Sequence, residues 1–127
     1  MKLNGMQNMR LNNLQIDTWN WCKACFGADI SLDIKERNHR FCEESLELVQ
    51  SLDMSKEEVL MLVDYVFDRD VGVPEQEIGG VLITLAALAN AHDINLANCA
   101  EKGIAQNWER IHKIREKQKT KPRNSPL

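Results

Sequence analysis

Aromatic residues make up only 6% of this 127-residue chain, too few for a surface on which successive nucleic-acid bases stack. Basic residues are in no excess. The 16 Lys and Arg face 19 Asp and Glu, for a formal charge of −3, which excludes general nucleic-acid coating and leaves no nucleic acid among the expected partners. The chain has no Gly-rich phosphate loop, no G-x-S-x-G elbow and no H-E-x-x-H pair, so three common routes to hydrolysis are closed. No apolar run is long enough for a bilayer. The most apolar stretch, residues 78–91, contains Gly79, Gly80 and Thr84 and reads as a buried helix with no membrane partner. Residues 1–13 are rich in Asn and lack the apolar segment of a signal peptide. The four cysteines have no secretory context, so reduced thiols and a cytoplasmic location are expected.

What is present is a foldable mixture, 43% apolar and 28% charged. A chain of this length should bury roughly two-thirds of the surface that its unfolded form exposes. The expectation is a single domain over residues 1–119, followed by a mobile basic tail, 120–127, with two prolines and few apolar groups.

Five helices and no strand can be read. Leu14, Thr18, Trp21, Cys22 and Cys25 recur at helical intervals, and Gly27 supplies a stop. Asp33 and Glu36 have the spacing of a helix start, for a helix running to about Leu52. Ser55 to Glu58 is a capping box for a third helix rich in Val59, Leu60, Leu62, Val63, Val66 and Phe67. After a loop over 68–73, Pro74 opens a fourth helix, with Glu75 and Glu77 in its acidic first turn. Asn95 caps a fifth helix, which carries Ile104, Trp108, Ile111 and Ile114 on one stripe to about Lys117. Short connections between helices of this length predict an all-α fold, an antiparallel bundle of four to five helices. A nearly all-apolar fourth helix suits completion of the core across a two-fold axis, so a homo-oligomer is expected.

The stretch most able to carry chemistry is residues 36–47. Glu44 and Glu47 lie three apart on a helix, so both carboxylates can approach one cation, and oxygen donors suit Mg²⁺ or Mn²⁺. A third acid must come from elsewhere, and Glu77 stands out because the rest of its helix is nearly all apolar. A plainer reading exists. A helical wheel sets Phe41, Cys42, Leu46, Leu48, Val49 and Leu52 on one arc and Glu36, Arg40, Glu43 and Glu47 largely opposite, as on a solvated face with a Glu36–Arg40 ion pair. Periodicity alone favours that surface reading, and Glu77 alone is explained as a charge at a helix start.

Glu43-Glu44-Ser45-Leu46-Glu47 resembles the E-E-x-x-E motif of the MazG-like all-α nucleoside triphosphate pyrophosphatases. Farther on, Glu77-Ile78-Gly79-Gly80 followed by an apolar run is similar to the family's second motif, E-x-x-D. The order of helices over residues 14–118 fits, and the wording of 36–41 with Gly79-Gly80 and the Lys-Pro-rich end looks like a phage or prophage branch. The resemblance implies hydrolysis of a (d)NTP to (d)NMP and pyrophosphate, in nucleotide-pool control or housecleaning, by a homodimer or dimer of dimers. It implies Mg²⁺, or Mn²⁺, held by Glu44, Glu47 and Glu77. Glu43 would be a further ligand or water-positioning catalytic base, and Arg37, Arg40 and Lys102 candidate phosphate contacts. One position departs from the pattern: Gly80 stands where the family has Asp. The site would then bind fewer metals, borrow Asp64 or Asp68, or have become a non-catalytic nucleotide- or protein-binding helical module.

Cys22 and Cys25 have C-x-x-C spacing, but no second pair follows. Both fit the apolar side of the first helix, where free thiols behave as small hydrophobes, and packing is favoured over metal or redox chemistry. Trp19, Trp21 and Trp108 read as core or interface anchors, with one of them able to line a nucleobase pocket.

Overall fold

The computed structural model describes residues 10–120. They form six helices, with no strand among the described residues: α1 (Leu11–Ser31), α2 (Ile34–Ser51), α3 (Lys56–Phe67), α4 (Pro74–Ala91), α5 (Leu96–Glu109) and α6 (Ile111–Gln118). The chain is all-α with the character of a helical bundle. The tail expected over 120–127 lies outside the described residues from position 121 onward. No single described helix is long and apolar enough to cross a membrane.

Local chemistry sets the helix starts. Asp33 Oδ1 accepts from the Glu36 N–H at 3.0 Å, and Asn95 Oδ1 accepts from the Asn98 N–H at 2.9 Å. Ser55 and Glu58 close a reciprocal capping box, with both hydrogen bonds at 3.1 Å. The Ser55 backbone N–H, and then its hydroxyl, hold the Glu58 carboxyl below its ordinary range. This cap is fully formed above the usual carboxylate pKa and fades as pH falls through the lowered value. Pro74 takes the first turn of α4, where its missing N–H costs nothing.

Two helix ends share one construction. Asp53 (φ 67°) and Asp93 (φ 52°) adopt the left-handed conformation just after α2 and α4. Beyond them, Met54 N–H donates to Val49 O at 3.0 Å and Ile94 N–H to Ala89 O at 2.9 Å. Each closes a Schellman turn, in which glycine is the unstrained residue and an acid opposes the helix dipole. Asp53→Gly should therefore stabilise the protein by about 1 kcal/mol, read as a rise in Tm.

Gly27 breaks α1 into two helical stretches, in keeping with the stop expected there. Its φ of 81° and ψ of 164° are non-helical, yet the helix resumes and runs to Ser31, whose hydroxyl donates to Gly27 O at 2.7 Å. Beside the break, Arg115 of α6 reaches the carbonyls of Ala24 and Cys25. Its Nε donates to Cys25 O at 2.9 Å and its Nη2 to Ala24 O. Only glycine adopts this backbone region readily, and a β-carbon here would touch nothing within 4 Å. Gly27→Ala should thus cost about 1–3 kcal/mol through the backbone alone, measurable by urea unfolding.

The single last helix expected from the sequence is two, divided at Arg110. The bend lets Ile104 of α5 and Ile111 and Ile114 of α6 all pack on the buried cluster of Trp21, Cys22 and Cys25. Trp108, on the same predicted stripe, is left exposed. The closest helix packing joins α1 to α5, α6 and α2, and α5 to α6. The expected burial of α4 is not met within one chain. Ala89 is its only fully buried side chain, and α3 has none. The apolar arc read for α2 is likewise uncovered at Phe41, Leu46 and Leu48.

Candidate functional site

A cleft of about 580 Å³ lies between α1, α2 and the α5–α6 arm. On one wall, α2 presents Glu43, Glu44 and Glu47, whose carboxylate oxygens all come within 4.8 Å of one another. These three are the acids that one helical turn brings together. Oxygen donors converging in this way could hold a metal ion.

The facing wall is basic. Arg110, Lys113 and Lys117 line the cleft with Gly103, Asn107, Ile114 and Gln118. Positions 103, 107, 110, 114 and 117–118 form one helical stripe continued through the bend at Arg110. From sequence, Lys117 is read only as the approximate end of the fifth helix and this stripe is missed; its signal is the recurrence of Asn107, Arg110, Lys113 and Lys117 at three- and four-residue steps. Lys102, the candidate phosphate contact, is exposed and outside the cleft lining.

The floor holds the largest departure from expectation. Glu36, placed by the helical wheel on a solvated face, is 0% exposed. Gln118 Nε2 donates to its Oε1, Arg40 Nε lies 3.2 Å from that oxygen and Arg37 Nη2 3.9 Å. The Glu36–Arg40 ion pair thus forms as expected, but inside the protein. The α6 helix, 82 residues later, covers it. Arg40 also reaches outward, its Nη1 3.5 Å from Glu43 Oε2. Gln118, Glu36, Arg40 and Glu43 therefore form a polar chain from α6 through the interior to the acidic wall. Arg37 is held flat over Phe26, its guanidinium 5.1 Å from the ring centroid. Its guanidinium also faces the Cys22 thiol and lines the cleft.

One end of the cleft is aromatic. Trp21 and Phe26 meet edge to face with centroids 5.4 Å apart, and the buried Trp21 Nε1 has no hydrogen-bond partner. The neighbouring Cys22 and Cys25 are free and buried. Burial pushes both thiols up, while Arg37 beside Cys22 and Arg115 beside Cys25 pull the other way. They pack the core as protonated thiols, and neither belongs to a group of convergent metal ligands among the described residues.

Glu77 does not join the acidic group within the chain, and neither do Asp64 and Asp68. Its carboxylate turns back over Gly72, where a β-carbon would lie 3.0 Å from Glu77 Cδ. Of the residues that the sequence singled out, the cleft unites Arg37, Arg40, Glu43, Glu44 and Glu47. It leaves out Lys102 and Glu77. Compared with known proteins, the chain matches no protein-family model, no curated protein and no solved structure.

Proposed function

We propose that this chain is a divalent-metal-dependent nucleoside triphosphate pyrophosphohydrolase, converting a (d)NTP to the monophosphate and pyrophosphate. The observation that carries the reading is the cleft itself, where three carboxylates on one wall face Arg110, Lys113 and Lys117 on the other, with Arg37 and Arg40 beside them. Such a charge pattern is poorly matched to a free metal buffer, which needs no cations, or to a simple anion site, which needs no acids. It suits a metal ion and a polyphosphate together. With one divalent ion bound, the five side-chain cations outweigh Glu36, Glu43, Glu44 and Glu47, leaving net positive charge for the substrate.

Glu44 and Glu47 would hold Mg²⁺ or Mn²⁺. When bound, the ion offsets charge on the phosphoryl oxygens and lowers the pKa of water. The chain's own residues supply the rest. Arg37 and the Arg110–Lys113–Lys117 stripe would orient the polyphosphate. Arg40 fixes the direction of Glu43, which would accept a proton from the attacking water. Trp21 and Phe26 offer an apolar wall of the size of a nucleobase.

The likeness of residues 43–47 and 77–80 to the MazG-like motifs supports this reading. The test is a panel of canonical and modified triphosphates with Mg²⁺ or Mn²⁺, products resolved as monophosphate and pyrophosphate. One or more should be turned over. A second reading rests on Gly80 and on Glu77 lying outside the acidic group: a helical module that binds a metal–nucleotide complex without cleaving it. Calorimetric binding across a panel that yields no product would select it.

A further inference from the structure

Trp21 carries a polar group that the proposed chemistry does not use. The residue is only 8% exposed, and its indole N–H meets no acceptor among the described residues. Its ring nevertheless lines the cleft, beside Phe26. A donor enclosed without a partner weakens the fold, and a phenylalanine would fill the same corner without that cost. The indole nitrogen is a donor only, so what it lacks is an acceptor. Stacking is not the use of this corner. Trp21 and Phe26 meet edge to face at 83°, leaving no gap between the rings for a third, and Arg37 already lies over Phe26. The facing wall has room: Gly103 of α5 lines the cleft, and a β-carbon there would meet nothing within 4 Å.

We propose that Trp21 is a specificity-determining residue: its indole N–H donates to a carbonyl oxygen on the base of the bound nucleotide, so that the cleft selects carbonyl-bearing bases over adenine. The inference rests on the nucleotide reading above and deepens it. Charge sets the orientation. A polyphosphate drawn to Arg110, Lys113 and Lys117 leaves the aromatic end for the base. The enclosure of Nε1 then sets the partner. A ring nitrogen lies flush with the edge of its base, whereas a carbonyl oxygen stands about 1.2 Å beyond it and reaches a recessed donor. Thymine, uracil, cytosine, guanine and hypoxanthine carry such an oxygen. Adenine presents only ring nitrogens as acceptors, and its protruding amino group sets a second donor against the first. Water can hold the place in the free protein, and a carbonyl oxygen that displaces it keeps the bond.

The donor itself can be watched by nuclear magnetic resonance in the full-length, isotopically labelled protein. Trp21→Phe identifies the Trp21 indole resonance by its loss; should that variant fail to fold, Trp19→Phe and Trp108→Phe identify it by elimination. The probes are Mg²⁺ with the α,β-imido analogues of dTTP, dCTP, dGTP and dATP, which bind without cleavage between the α- and β-phosphates. The Trp21 indole proton should move downfield for at least one carbonyl-bearing analogue. It should stay in place for the dATP analogue and for tripolyphosphate. Wild-type affinity for that carbonyl-bearing analogue should exceed affinity for the dATP analogue by about tenfold or more, the scale set by one buried polar group left unsatisfied. Trp21→Phe should erase most of that preference and leave tripolyphosphate affinity unchanged. Nucleotide binding with a stationary Trp21 resonance, or an equal shift with the dATP analogue, would overturn the inference and leave the pyrophosphohydrolase reading standing. Binding of no nucleotide at all would overturn both.

Discussion

Glu44→Gln or Glu47→Gln should lower triphosphate turnover by at least about a hundredfold, the scale on which loss of a charged metal ligand acts, while far-ultraviolet circular dichroism stays unchanged. Both parts follow from where the side chains sit. Glu44 and Glu47 are exposed and, among the described residues, make no hydrogen bond or ion pair, so the helix loses no contact when either is altered. Surface substitutions of this kind usually change stability by less than about 0.5 kcal/mol. The amide preserves size and keeps one oxygen, but removes the charge that draws a divalent ion to the group. Metal affinity should fall together with turnover, and raised Mg²⁺ should restore part of the rate. Full activity in both variants would defeat the proposed chemistry.

Glu36→Ala should be the most destabilising single change in the molecule, at about 3–5 kcal/mol, measured by urea unfolding at one fixed protein concentration. The carboxylate is enclosed, and its removal leaves Arg40 with only 14% of its side chain exposed and one anionic partner fewer. Gln118 also loses its acceptor. Uncompensated buried charge is expensive, and here the same substitution frees α6 from α2. Glu36→Gln keeps the shape and an acceptor for Gln118, so it should cost less. Both variants should weaken turnover as well, because Arg40 loses the anchor from which it reaches Glu43.

Features written in neighbouring residues were legible in the sequence. The Ser55–Glu58 box, the Asn95 and Asp33 caps and the Pro74 start are interactions over three or four positions, and each forms where the spacing puts it. The Ile104, Ile111 and Ile114 stripe does meet a core. In the site, the pairing of Glu44 with Glu47 was legible for the same reason, being set by one helical turn. What depends on distant residues was not. Periodicity treats Glu36 as one charge among others opposite an apolar arc and has no view of Gln118. The break at Arg110 falls inside an uninterrupted apolar repeat, so nothing local marks it. The apolar residues of α3 and α4 read as buried in the sequence, yet the chain leaves them exposed. Glu77 drew attention as an acid heading an apolar helix, yet its place depends on how that helix meets the others.

The contacts that close the cleft also set a timetable. Arg115 reaches back to Ala24 and Cys25, and Gln118 to Glu36, across 82 to 91 positions. At a synthesis rate of 5–20 residues per second, Glu36 emerges from the ribosome about 4–16 s before the glutamine that will enclose it. Within that interval α2, then α3 and then α4 emerge, with apolar side chains that even the complete chain leaves exposed. Slow decoding ahead of α6 would lengthen the time that Glu36 and Arg40 spend without the helix that encloses them.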